Sequence, residues 1–278
     1  MLDPRIVQEL RTIQKRLTDN GTLPPVEKLK QYYATFHDRF GPNRLRSLDG
    51  ETLLTTMHGL SRKNRDTLAY WLEFKNDEEF PGIFGSISGG SALKFGVYSQ
   101  AQTGEWMGRS SSNYPVKISL DEAIGIARKH REQLLNGVAL LQQLPANGSD
   151  DDYAQLQKGM DEKAPDVSTV AWGHKYFSLL FSDKLDDYHV PNYQRFHLVR
   201  LLQPDLPSDR IGRYITAGRY VAIANELGMP INHLTTTLNQ RTQGPYTYWR
   251  LMANRRHPDG WKLWPMMLEK GVVALGWD

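Results

Sequence analysis

The sequence predicts an α+β fold: a small helical N-terminal unit, an antiparallel sheet with a covering helix, a mainly helical domain and a truncated β segment. Two changes in the spacing of apolar residues predict it. Apolar residues recur at helical spacing up to residue 65, alternate with other residues after 66, and return to helical spacing after 165. The predicted segments are 1–65 (helical unit), 66–145 (sheet plus helix), 146–165 (acidic linker), 166–250 (helical domain) and 251–278 (truncated β module).

The N-terminal unit opens with a helix-start signal. Asp3-Pro4 can supply an N-cap followed by a proline at the first helical position. Apolar spacing then predicts three helices, at 4–20, 25–40 and 51–58, and the second of these ends at a Gly-Pro pair.

The middle segment is predicted to form the sheet. Thr67–Lys75 is β-prone, with large apolar side chains at alternate positions. Two more strands are predicted on either side of Ser88–Ser91, where two glycines permit a tight turn, and another at Tyr114–Ile118. The sequence from Ser119 to Glu122 has the form of a capping box, which opens a long helix able to cover one face of the sheet.

The second half is predicted to be helical except at its end. Pro145–Asp152 is rich in turn-forming residues and predicts a linker. Helices are expected at 166–180, 192–202, 209–227 and 231–239. Val272–Leu275 is a short apolar run between glycines, which predicts a buried strand. Because nothing follows that could pair with this strand, the chain is expected to be the N-terminal part of a longer polypeptide.

Composition excludes several classes of function. The 278 residues contain no cysteine, which excludes disulfides, thiol catalysis and cysteine-ligated zinc. No apolar stretch approaches the ~20 residues that span a bilayer, and charged residues recur too often near the N-terminus for a signal peptide. A cytoplasmic protein without a membrane partner is therefore expected.

The net charge of +3 is small, but the charges are unevenly distributed. Residues 1–65 hold 12 Lys and Arg against 7 Asp and Glu, and residues 241–262 hold 5 bases and 1 acid. Residues 146–170, by contrast, hold 6 acids and 2 lysines. Such a pattern can present a basic face to phosphates. Solvated helix surface is the simpler interpretation of any one of these segments.

Asp66, Glu73 and Lys75 match the acid…Glu-x-Lys pattern of restriction-type nucleases. That chemistry needs two carboxylates on a metal ion and a lysine near the attacking water. Alternation along a strand would place Glu73 and Lys75 on the same face. The spacing from Asp66 is short, however, and solvent-side charges on a half-buried strand are the simpler interpretation.

The glycine-rich segment Gly85–Lys94 is not a phosphate-binding P-loop. The Gly-Lys-Ser/Thr ending is missing, and a predicted strand follows where a helix N-terminus would be needed. A hairpin turn is the simpler interpretation. Its tip is also a predicted recognition loop on a rigid sheet. The residues of that loop are Ser88, Gly89, Gly90 and Ser91.

A stretch rich in His and Asp lies in the second half. Its members are His174, Asp186, Asp187, His189 and His197. Such residues can ligate a metal, but their spacing does not place them on one helix face. Interhelical hydrogen bonds and capping are the favoured interpretation, and no metal site and no cofactor are predicted.

The segment Trp172–Lys184, followed by His189 and the helix Phe196–Leu202, resembles a helical segment found ahead of the motor in many McrB-type AAA+ ATPases of modification-dependent restriction systems. Such segments commonly carry a His-Lys-Tyr, apolar run, Phe-Pro-Asp pattern, in which Ser182 here replaces the proline. The residues Leu238-Asn239 and Tyr248-Trp249-Arg250 are similar to the close of that module.

The tail from Trp264 to Trp277 resembles the opening of an EVE- or YTH-like domain, a PUA-like class that commonly holds a modified base in an aromatic cage. Only the first strand of such a domain is present here. The whole resemblance covers roughly Val167 to the end, less closely Leu68–Leu144. Walker A, Walker B and McrB-type GTPase motifs are missing from the sequence, so the motor is not encoded in it.

The resemblance implies a non-catalytic nucleic-acid-recognition or interaction region of a restriction or anti-phage defence NTPase that targets modified DNA. The implied partners are DNA and a nuclease subunit, with oligomerisation through a motor outside this chain. The residues expected to contact nucleic acid are Lys94, Arg250, Arg255, Arg256, Lys262 and Trp277. Two alternatives stay open: a metal-dependent nuclease using Asp66, Glu73 and Lys75, and a scaffold that docks a nuclease subunit.

Overall fold

The computed structural model describes residues 2–59, 65–75, 84–87, 89–100, 102–111, 114–201 and 212–243, together with Pro265 and Glu269. Residues 1–244 belong to one packed unit and residues 245–278 to a second. A single hydrophobic core runs through the first unit, from Leu2 to Leu238. The predicted α+β class is confirmed, because the described residues form mostly helices together with one small three-stranded antiparallel sheet. No helix among the described residues is long and apolar enough to cross a membrane.

The first four helices are α1 (Pro4–Asp19), α2 (Val26–Phe40), α3 (Pro42–Arg46) and α4 (Gly50–His58). The predicted N-cap of α1 is confirmed, because the Asp3 carboxylate accepts a hydrogen bond of 2.8 Å from the Arg5 amide. The break between α2 and α3 falls at the predicted Gly-Pro pair, since the proline at residue 42 takes the first position of α3.

Residues 68–75 are helical, so the strand predicted at Thr67–Lys75 is wrong. The Thr67 hydroxyl accepts a hydrogen bond of 3.2 Å from the Tyr70 amide and caps α5 (Leu68–Tyr70), which continues as a π-helical turn over Trp71–Lys75. Every residue from 68 to 73 is buried. A helix that is buried on all sides is apolar all round, so alternating apolar residues do not distinguish it from a strand.

The sheet is antiparallel, but its strands lie later in the chain than expected. It consists of β1 (Tyr98–Ser99), β2 (Trp106–Arg109) and β3 (Pro115–Lys117) in that spatial order. Ala92–Phe95, predicted as the start of a strand, is a 3₁₀ helix capped by the Ser91 hydroxyl. The segments beside the predicted 88–91 turn are therefore not the strands of a hairpin. The strand predicted at Tyr114–Ile118 is confirmed as β3.

The predicted capping box is confirmed by both of its hydrogen bonds. The Ser119 hydroxyl accepts from the Glu122 amide at 3.2 Å, and the Glu122 carboxylate accepts from the Ser119 amide at 2.7 Å. This box opens α6 (Leu120–Gln143), which contacts β2 and also packs against α3 and α4. The helix expected to cover the sheet therefore also joins it to the N-terminal helices.

Residues predicted as an acidic linker form a packed helix, α7 (Asp150–Lys163), which lies against α6. Its three acids at 150–152 occupy the first turn, where the helix dipole favours negative charge. Its buried side chains include Tyr153, Leu156 and Met160. A run of acids and turn residues here marks a helix start, and the hydrophobic core continues across it.

In the described residues from 165 to 243 the helices are α8 (Pro165–Ser168), α9 (Ala171–Leu180), α10 (Pro191–Arg200), α11 (Arg213–Leu227) and α12 (Ile231–Thr242). They follow the predicted helical spans closely. α11 packs against α7 and α10. α12 packs against α1, so the C-terminal end of the first unit contacts its N-terminal helix. The predicted strand at Val272–Leu275 lies outside the described residues.

Gly173 provides a test of how tightly α8 and α9 pack. A Cβ atom at this position would lie 1.8 Å from the carbonyl oxygen of Val167. We expect Gly173→Ala to destabilise the protein by roughly 3 kcal/mol, because one segment must move, and to lower its melting temperature by roughly 10 °C. Gly125→Ala, on the exposed side of α6 with open space around it, is the matched control and should leave the temperature unchanged or slightly higher. Equal melting temperatures for the two variants would contradict this packing.

Candidate nucleic-acid interface

The three residues of the predicted nuclease pattern have separate partners. Asp66 forms an exposed ion pair with Arg39. Glu73 is buried, with its carboxylate 2.6 Å from the Lys94 ammonium group. The Lys75 ammonium group lies 5.3 Å from the centre of the Trp71 ring. The strand that was expected to align Glu73 and Lys75 is a helix, so the structural basis of this alternative is not found.

Lys94 holds a turn together. Its ammonium group donates to the Glu73 carboxylate at 2.6 Å, to the Ile87 carbonyl at 2.7 Å and to the Gly89 carbonyl at 2.9 Å. A lysine has three N–H donors, so these partners use its full capacity. Lys94, predicted to contact nucleic acid, is therefore occupied in fixing the polypeptide beneath the glycine turn.

The turn itself faces solvent. Gly89 and Gly90 are exposed, and both have positive φ angles, of 91° and 72°, which favour glycine. Ser91 caps the following 3₁₀ helix. The assignment of this turn as a recognition loop stays a prediction. The other predicted contact residues lie outside the described part of the chain: Ser88, Arg250, Arg255, Arg256, Lys262 and Trp277.

The His/Asp-rich stretch forms a buried polar network, as the favoured interpretation predicted. The Nδ1 atoms of His174 and His189 are 3.2 Å apart, so one ring donates to the other. The Asp186 carboxylate accepts from the Gln194 amide at 2.7 Å, and the Asp187 carboxylate accepts from an Asn232 amide at 3.0 Å. Among the described residues no group of three or more His, Cys, Asp or Glu is arranged to hold a metal ion.

Burial sets the protonation of this network. It raises the pKa of Asp186 to about 7 and that of Asp187 to about 6. It lowers the pKa of both His174 and His189 well below the ordinary value, so both rings are neutral at pH 7. The guanidinium of Arg213 donates to the carbonyls of Val170 and His189. These groups lie in the core and connect segments of the fold.

The His-Lys-Tyr sequence on α9 belongs to the same core. Each of its three residues reaches a different segment. His174 meets His189, Lys175 donates to the Leu72 carbonyl at 2.8 Å, and Tyr176 donates to the Phe40 carbonyl at 3.0 Å. All three side chains are buried. The motif that carries the sequence resemblance therefore joins α9 to α2, to the π-helical turn and to the segment before α10.

The same buried network also fixes the position of α10, through the residues on the inward-facing side of that helix. The Gln194 amide donates to Asp186 and, at 3.4 Å, to the Arg213 carbonyl, and the Tyr220 hydroxyl donates to the Gln194 carbonyl at 2.6 Å. The buried residues of the helix are Gln194, His197 and Leu198. The opposite side of α10 therefore faces solvent.

The outer side of α10 combines aromatic, apolar and cationic side chains. Tyr193 is 43% exposed and Val199 is 55% exposed. Tyr193, Phe196 and Arg200 are spaced i, i+3 and i+7, so they form one stripe, and the Arg200 guanidinium lies 5.9 Å from the centre of the Phe196 ring. The ten residues of α10 include no Asp or Glu. We call Tyr193, Phe196, Val199 and Arg200 the α10 face.

A further arginine lies beside this face. Arg241 of α12 donates to the Arg200 carbonyl at 3.1 Å and to the Glu9 carboxylate of α1 at 2.9 Å. The helices α1, α10 and α12 therefore meet at Arg241. Sequence reasoning included Arg241 in a basic region but did not identify Tyr193 or Arg200. An aromatic stripe with arginine at i+7, on a helix without acids, is the signal that could have found them.

Comparison of the chain with protein-family models, with curated proteins and with solved structures finds no match.

Variants of the buried Glu73–Lys94 pair test whether Glu73 has a structural or a catalytic role. Glu73→Ala leaves the Lys94 ammonium group without its counter-charge, and we expect a loss of roughly 3 kcal/mol in the free energy of unfolding. The Glu73→Ala/Lys94→Ala double variant should lose less than the sum of the single losses. Glu105→Ala, which breaks the exposed pair with Lys117, is the control and should cost less than about 1 kcal/mol.

Urea unfolding of the parent and of four variants (Glu73→Ala, Lys94→Ala, the double variant and Glu105→Ala) measures these differences. A Glu73→Ala variant with unchanged stability that has lost a metal-dependent nuclease activity of the parent would restore the nuclease alternative.

Proposed function

We propose that this chain is a non-catalytic, cytoplasmic region that recognises nucleic acid, with DNA as the expected partner. The observation that carries the proposal is the α10 face, where exposed Tyr193 and Val199 stand beside Arg200 on a helix without acids. Arg241 lies beside Arg200 but is paired with Glu9, so the proposal relies on Arg200. The assignment to a restriction or anti-phage NTPase, with modified DNA as target and a nuclease subunit as second partner, rests on the sequence resemblance alone.

Two kinds of interaction would contribute to binding affinity at this surface. Arginines that contact phosphates release condensed counterions, which gives affinity that falls as salt rises. Aromatic rings add stacking, which is largely independent of sequence. The acid-free α10 supplies cations and rings on one helix, whereas the described bases of α1 and α2 include several that are already paired, among them Lys15 with Asp19 and Lys30 with Glu27.

Charge reversal at Arg200 tests the proposal. Arg200 is exposed, and its side chain extends over Phe196. We expect Arg200→Glu to weaken oligonucleotide binding by about tenfold or more and to reduce the slope of log K against log salt by about one, because a phosphate contact is lost. Fluorescence anisotropy at several salt concentrations measures both quantities.

Arg44→Glu is the matched control. Arg44 is exposed on α3 and makes no ion pair among the residues that the structure describes. The two variants have the same net charge, so a general electrostatic effect would weaken both equally. We expect binding by Arg44→Glu to stay close to that of the parent. Equal losses in the two variants, or no binding by the parent protein, would contradict the proposed interface.

A further inference from the structure

Tyr193 is the outermost of three aromatic rings that lie nearly parallel. Its ring is stacked with that of Tyr188, at 6.4 Å between centroids and an interplanar angle of 25°. Tyr188 is in turn stacked with His197, at 4.8 Å and 14°. Tyr188 and His197 are buried, whereas Tyr193 is 43% exposed. A stack that begins in the core therefore reaches the surface at Tyr193.

The inner rings are fixed by hydrogen bonds. The Tyr188 hydroxyl donates to the Thr235 carbonyl at 3.0 Å and lies 3.1 Å from the Asn239 side-chain oxygen. His197 Nδ1 lies 3.1 Å from the Thr242 hydroxyl. Tyr193 thus rests on rings that cannot rotate freely. A tyrosine has only two side-chain torsions, so a ligand that stacks on it restricts little additional motion.

A cation stands two turns along the same helix. Arg200 lies seven residues after Tyr193, which is about 10 Å along the helix axis and on the same side. The ten-residue helix places no carboxylate between them. A ligand that covers both positions would therefore present a flat ring at one end and an anionic group at the other. A nucleotide within a polynucleotide has both.

We propose that the α10 face binds single-stranded nucleic acid, with an unpaired base stacked on Tyr193 and the strand's phosphates at Arg200. This inference rests on the proposed function. In a duplex, each base is covered by its neighbours, and a protein ring can stack on it only after the base is flipped out. In a single strand the base faces are accessible, and aromatic rings commonly hold them. The geometry therefore selects unpaired strands over duplex.

The experiment compares the two forms with the full chain. Labelled single-stranded DNA of about 16 nucleotides and the duplex of the same sequence are titrated by fluorescence anisotropy. We expect the single strand to bind at least about tenfold more tightly. Tyr193→Ala should weaken single-strand binding about tenfold and leave duplex binding unchanged, because one stacked base is lost. Tyr193→Phe, which keeps the ring, should bind like the parent.

Tyr114→Ala is the matched control, because Tyr114 is 70% exposed beside β3, and it should leave binding unchanged. Thermal unfolding of each variant confirms that it is folded. Equal binding of strand and duplex with no effect of Tyr193→Ala, while Arg200→Glu still weakens binding, would overturn the single-strand inference and leave the proposed function standing. Equal losses in Tyr193→Ala and Tyr193→Phe would also overturn it. Absence of binding to either form would overturn both.

Discussion

The fold depends on the requirement that polar groups in a core must find partners. Lys175 and Asp186 are fully buried, and Arg213 is nearly so. An unpaired charge at such depth costs several kcal/mol, so each group needs correctly placed carbonyls, amides or counter-charges. Lys175 finds the Leu72 carbonyl, Asp186 finds Gln194, and Arg213 finds the carbonyls before α9 and α10. Segments far apart in sequence are thereby fixed to one another.

This requirement also explains the candidate interface. Gln194 and His197 occupy the inner side of α10, with hydrogen bonds to buried Asp186 and to Thr242 of α12. Because these residues face inwards, helical geometry turns Tyr193, Phe196 and Arg200 towards the surface. The buried network therefore has a positioning role, and the residues that would touch a ligand lie on the other side of the same helix. The ten residues of α10 therefore contribute both to the core network and to the proposed binding surface.

The sequence predicted correctly those features that are determined by neighbouring residues. The caps at Asp3 and Ser119 and the spans of the later helices were predicted because neighbouring residues determine them. The segment 68–73 was mistaken for a strand because burial on every side removes the helical period. Lys94 was assigned to nucleic acid because its partner Glu73 lies 21 residues away. The α10 face was missed because the exposure of Tyr193 follows from what Gln194 contacts, which is a tertiary property.

The most direct measurement is hydrogen–deuterium exchange of the full chain with and without single-stranded DNA. We expect peptides spanning residues 191–200, together with the end of α12 around Arg241, to gain protection when the strand is added. The core peptide 171–180 should be protected equally in both states, because its network is already formed. Protection confined to the 89–91 turn or to the region of Tyr114, with no change at 191–200, would show that α10 is not the binding surface.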